Sequence, residues 1–208
     1  GWFGRAGSLR MLHEVQRQAA PELARVFGHT GLYLRPTPAL SPALSGNLLA
    51  SVLSLHRQRN GFAGELCCTD AQLPFANASL ALVYGLCVLE TSPDPAGLLA
   101  EIARVLRPDG AALLLTLNPW SPCRLRWAFK GLHPMDPALV AQQVRQAGLD
   151  VQRRQYLGPL LASSDRVDID PRRGSALAAR RRVASLVVAR RRDAAMTPLR
   201  PPVATMKF

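Results

Sequence analysis

The chain has 208 residues, 48% of them hydrophobic, enough for one good core. Its formal net charge of +12 and pI near 11.1 come almost wholly from arginine, since Lys130 and Lys207 are the only lysines. No RNA-binding or helix-turn-helix pattern accompanies this charge, no fixed-period repeat points to a solenoid, and no apolar run reaches the ~18 residues that span a bilayer.

A field of this sign favours anionic partners, nucleic acid or an acidic membrane face, and it is equally explained by arginine-heavy coding. The four cysteines, Cys67, Cys68, Cys87 and Cys123, form no CxxC pair and no zinc-ligand spacing. A metal site is therefore not expected, and a reduced, cytoplasmic setting is. The N-terminus shows no signal-peptide core. It opens on Gly1 in place of Met, which leaves the natural start open.

In chain order, residues 2–27 have helical spacing (Leu9, Leu12, Val15, then Leu23, Val26, Phe27), and Pro21 is expected to break or restart that helix. Residues 31–35 are a short strand candidate. Residues 36–47 form a loop with Pro36, Pro38 and Pro42, and 51–55 are a second strand candidate followed by His56, Arg57, Gln58, Arg59 and Asn60. A strand over 65–69 ends at Asp70. The apolar run 80–86 reads as a buried strand. Asp94 is a plausible N-cap with Pro95 at N1, and Leu98, Leu99, Ile102, Val105 and Leu106 share a helix stripe. Pro108, Asp109 and Gly110 then turn the chain into a buried strand over 111–117, completing a parallel strand–helix–strand unit.

Further on, Asn118-Pro119-Trp120 is followed by a basic aromatic segment, 121–130, with Arg124, Arg126, Trp127 and Phe129. It reads as a solvated helix docked by its aromatic residues or as a membrane-surface helix. Residues 136–148 are a helix capped by Asp136, 150–157 a strand, 158–174 a turn-rich connection, and 184–189 a last strand. Arginine triplets at 180–182 and 190–192 frame that strand as charged gatekeepers would. The region 1–195 is expected to be one domain with residues 1–30 as a helical cover, and 196–208 an unpacked tail.

The segments TDAQLPFANASLALV and VLETSPDPAGLLAEIARVLRPDGAALLLTLNP, residues 69–83 and 88–119, resemble the central block of class I S-adenosylmethionine-dependent methyltransferases of the type-11 group. The resemblance implies an α/β Rossmann-like three-layer sandwich. Its mostly parallel sheet would carry an antiparallel last strand beside the fifth, with the first half abbreviated. It implies that Asp70 accepts the adenine amino group and that the Ala71 backbone N–H meets a ring nitrogen. Asp70 as the cap of its own turn is the equal alternative. Leu86 and Cys87, at the carboxyl end of their strand, are either adenine contacts or ordinary core. Helices at the N-terminus of this family cover ligand sites, so Trp2, Phe3 and His13 are cover candidates, with packing on the sheet as the simpler role for each.

Two parts of the family pattern are missing. The loop 36–47 has prolines where a glycine-rich turn is expected, and residues 56–60 offer no carboxylate for the ribose hydroxyls. Asn118-Pro119-Trp120 is similar to the Asn-Pro-Pro-aromatic motif of amino-group methyltransferases, but it follows the wrong strand of the fold. The expected function is therefore S-adenosylmethionine-dependent methyl transfer to a small molecule, with no catalytic base assignable. The alternatives are an inactive fold used as a basic binding module for nucleic acid or protein, and a peripheral membrane protein using Trp120, Trp127 and the arginines.

Overall fold

The computed structural model of the protein describes residues 1–59, 61–128, 130–159 and 180–192. After a short 3-10 turn at Trp2–Gly4 come helix α1 (Ala6–Leu23) and strands β1 (Phe27–Arg35), β2 (Leu48–Gln58), β3 (Gly61–Gly64), β4 (Cys68–Thr69) and β5 (Leu80–Leu86). Helix α2 (Pro95–Val105), strand β6 (Leu106–Leu117), helices α3 (Arg124–Trp127) and α4 (Pro137–Gln146), and strands β7 (Leu149–Leu157) and β8 (Ala184–Arg191) follow.

The eight strands among the described residues form one sheet in the order β4-β3-β2-β1-β5-β6-β8-β7. Strands β2, β1, β5 and β6 are parallel, and β8 runs antiparallel between β6 and β7. Leu12, Val15 and Leu23 of α1 join Leu40, Leu44, Tyr33 and Tyr84 in one core. Leu98, Leu99 and Ile102 of α2 and Val140 and Val144 of α4 join Leu32, Leu34 and Leu114 in a second. This is the expected three-layer α/β sandwich, with its antiparallel last strand in the expected place.

Local signals account for the second half. Asp94 accepts the Gly97 N–H at 2.9 Å and Asp136 the Ala138 N–H at 2.7 Å, each followed by a proline in the first turn. The turn expected at Pro108–Gly110 is instead part of β6. Asp109 there takes a φ of 60°, and the β5–β6 register shifts between Leu80 and Leu82, so the chain absorbs the bend as a bulge.

Two expectations in the first half are corrected, and one holds. Pro21 does not break α1; it lies in the last turn, and Arg17, whose carbonyl loses its donor, is on the exposed face. The loop expected over 36–47 is present: no helix connects β1 to β2, and Leu40 and Leu44 enter the core in the place of one. The strand expected over 65–69 shrinks to Cys68–Thr69, because β2 turns back into antiparallel β3. A Cβ on Gly61 would lie 2.2 Å from the Cys68 carbonyl oxygen, so only glycine lets β4 approach. Glu65 turns its side chain onto the Ser54 N–H at 3.0 Å, which fills the edge its own backbone would have paired.

The gatekeeper reading also fails for Arg182, which is 3% exposed and donates to the Gly158 carbonyl at 2.9 Å. From residue 160 on, the connection expected over 158–174 lies outside the described residues, as does the tail over 196–208.

Candidate functional site

Asp70 sits just past β4, over the carboxyl ends of β2 and β5, and is 4% exposed. One carboxylate oxygen accepts Arg57 Nη1, and the other accepts the Ser92 hydroxyl at 2.5 Å. Arg57 also donates Nη2 to the Val88 carbonyl at 2.9 Å and Nε to Thr91 Oγ1 at 3.1 Å, with its Cζ 4.0 Å from the centre of the Phe62 ring. The pair thus ties the β2–β3 hairpin to the segment after β5.

The other expected ligand contacts do not converge with Asp70 in one cavity. Ala71 is exposed and faces a separate open concavity with Leu73, Phe75 and Glu101. Leu86 and Cys87 are fully buried in the α1-side core, and burial pushes the Cys87 thiol well above its ordinary range. At the end of β1, buried Arg35 turns its guanidinium back onto the Leu40 carbonyl. Phe3 and Trp127 are buried in the same core as Leu40, and Trp2 meets both aromatic rings edge to face. His13 is exposed. Of the cysteines, Cys67 is exposed, Cys68 half-buried and Cys123 buried, and none is in a disulfide.

Glu90, in the short turn after β5, is wholly buried. Its Oε1 accepts the backbone N–H of Leu117, its Oε2 has no partner among the described residues, and burial pushes its pKa up to about 7. An apolar context, Val88-Leu89 before it, was the sequence signal for this burial.

A groove of roughly 920 Å³ opens beside β7 and β8. Tyr156 of β7 is opposite Ser185, which is in turn opposite Thr116 near the end of β6, so this groove lies on the carboxyl edge of the sheet. Arg154, Arg180 and Arg181 line it together with Tyr156 and the 63% exposed Trp120. Among the described residues no carboxylate pairs with these three arginines. Asp136 on the rim is engaged by Ala138 N–H and Trp120 Nε1. Arg153, on the same strand, is neutralised by Glu22 at 2.7 Å.

A family model described as a methyltransferase domain matches residues 39–114. These residues are therefore similar to methyltransferase domains of the type-11 group. Malonyl-[acyl-carrier protein] O-methyltransferase from Laribacter hongkongensis is 36% identical over 104 residues, 44% of this chain and 35% of that protein. The match spans about a third of the length of the curated relatives. Among solved structures, the [4+2]-cyclase SpnF aligns with a TM-score of 0.60 at 14% identity, covering 91% of this chain and 84% of that one. The 1,6-didemethyltoxoflavin-N1-methyltransferase of Burkholderia thailandensis, solved with its substrate and S-adenosylhomocysteine, aligns with a TM-score of 0.54 at 14% identity. That alignment covers 86% of this chain and 79% of that one. These two likenesses concern the fold. No described helix is long and apolar enough to cross a membrane.

The family implies S-adenosylmethionine, and the residues as arranged do not fit it. Where the resemblance implies the base, Asp70 is a carboxylate, but Arg57 and Ser92 already engage its two oxygens. The sugar end offers His56, Arg57, Gln58 and Arg59 in place of an acid. At the end of β1, a buried arginine followed by Pro36 gives a sulfonium no favourable charge and few backbone donors.

Proposed function

We propose that the protein is an S-adenosylmethionine-dependent methyltransferase whose acceptor is a small anionic molecule held in the groove beside β7 and β8. The methyltransferase-domain match supports the reaction class. The observation that carries the acceptor is the set Arg154, Arg180 and Arg181, uncompensated by any carboxylate among the described residues, around an open groove with Trp120 and Tyr156 as its aromatic wall. Arginine forks suit carboxylates and phosphates, and an indole face suits a flat or acyl body next to the charge. The Laribacter relative is named for O-methylation of a malonyl group, an acceptor of the same charge. Methyl transfer from a sulfonium is a single displacement that alignment alone can serve, so a dedicated base is not required.

Because the cofactor side is closed around Asp70, the reading carries the condition that this region rearranges before cofactor is admitted. None of the comparisons supports the alternative of an inactive basic binding module.

The test is calorimetric titration with S-adenosylhomocysteine, followed by transfer of a labelled methyl group to a panel of small carboxylic and phosphorylated acids. Affinity better than ~100 μM, and a KM raised about tenfold or more by Arg154→Ala with Arg181→Ala, support the proposal. Failure of S-adenosylhomocysteine to bind the wild type, or any variant with Asp70 freed, ends it.

A further inference from the structure

At Asp70 the chain supplies from its own strand what a bound base would bring. A guanidinium, like adenine, is flat, stacks on aromatic faces and presents N–H groups in its plane. Arg57 uses each of these properties here. It lies over Phe62 with 4.0 Å between Cζ and the ring centre, gives an N–H to the Asp70 carboxylate, and satisfies Val88 and Thr91 with the rest of its fork. The side chains of the pair are only 7% and 5% exposed, so an adenine amino group has no path to Asp70 while Arg57 stays.

An open concavity is walled by Phe62, which lies under the guanidinium, and by Cys68 and Thr69, which precede Asp70, and it gives a displaced arginine side chain somewhere to go. The connection from β2 is short, so the residue that fills the subsite comes from the strand that in the family pattern holds the ribose.

We propose that Arg57 is an internal stand-in for adenine, a latch that closes the base subsite, and that a nucleoside reaches Asp70 only when Arg57 has left it. The proposal rests on the methyl-transfer reading for the identity of the displaced ligand. It deepens that reading by making cofactor admission conditional on one side chain.

Arg57→Met keeps an unbranched stem over Phe62 and removes the guanidinium, but it leaves a buried carboxylate without its counter-ion. The double variant Arg57→Met with Asp70→Asn removes that charge and keeps a carbonyl oxygen able to accept an amino group. Thermal melts establish that the variants are folded, and calorimetry with adenosine and, separately, with S-adenosylhomocysteine reads the subsite. The latch predicts that the folded variants bind adenosine at least tenfold more tightly than the wild type. Equal adenosine affinity in wild type and double variant, or no gain in either variant, overturns it. A gain for adenosine without any S-adenosylhomocysteine binding keeps the latch and removes the methyl-transfer reading. S-adenosylhomocysteine binding that is the same in all three proteins, with no adenosine gain, removes the latch and keeps that reading.

Discussion

Glu90, in the short turn after β5, accepts the backbone N–H of Leu117, the last residue of β6, and so ties that turn to the neighbouring parallel strand at the carboxyl edge of the sheet. The bond is between a wholly buried carboxyl group and a backbone donor, and the second carboxyl oxygen has no partner among the described residues.

Stability is therefore expected to fall as pH rises. Burial raises the Glu90 pKa from 4.5 to about 7, against the smaller opposing pull of backbone hydrogen bonds. The folded state thus binds the proton more tightly than the unfolded chain does. Its contribution is complete below about pH 4.5 and is lost as pH passes through about 7, on the order of 3 kcal/mol in all. Glu90→Gln keeps the acceptor for Leu117 and removes the titration. Denaturant melts at a series of pH values should show a slope between pH 5 and 8 in the wild type that is flattened in this variant; identical slopes would contradict the assignment.

Trp127 is 2% exposed although the helix that carries it has only four residues. Trp2 packs edge-on against it, 5.7 Å between ring centres. Trp127→Ala is expected to cost about 3–5 kcal/mol, and Trp127→Phe much less, as measured by urea unfolding. A loss below 1 kcal/mol for the alanine variant would show that the packing seen here contributes little.

Gly158, which follows β7, has a φ of +83°, and a Cβ there would stand 2.4 Å from Val183 and 2.9 Å from Val15. Gly158→Ala should cost about 2–3 kcal/mol from overpacking and backbone strain together. A neutral midpoint in guanidinium unfolding would refute the close approach of α1 to this turn.

Asp136 joins two functions, capping α4 through Ala138 and holding the Trp120 indole at 3.2 Å on the groove rim. Asp136→Ala should lose about 1 kcal/mol of stability. It should also change Trp120 fluorescence, while Asp136→Asn retains most of both because an amide oxygen still caps. An unchanged emission spectrum in Asp136→Ala would mean that the rim contact is not made in solution.

The α2 unit was legible because its signals are local: an acid and a proline at the start, an apolar stripe at helical spacing, and apolar runs long enough for buried strands on either side. The Asp70 environment was not. Arg57 belongs to a stretch that reads, residue by residue, only as the absence of a ribose carboxylate. Its meeting with Asp70 depends on β2 running on to Gln58 and folding back through β3. Arg182 looks like a surface charge in sequence and is buried, since nothing in its near neighbours states which strand will lie over it.

What the amino-acid order alone determined is the alternation of helix and strand after residue 80, the proline-filled first loop and the methyltransferase likeness of the central block, all of which are carried by residues close along the chain. Only the tertiary structure decided that the hairpin of β2 and β3 runs antiparallel, that Arg57 faces Asp70, and that three arginines gather at one edge of the sheet. Those outcomes come from pairing between segments far apart in sequence, where the partner of a charge is set by strand order and register.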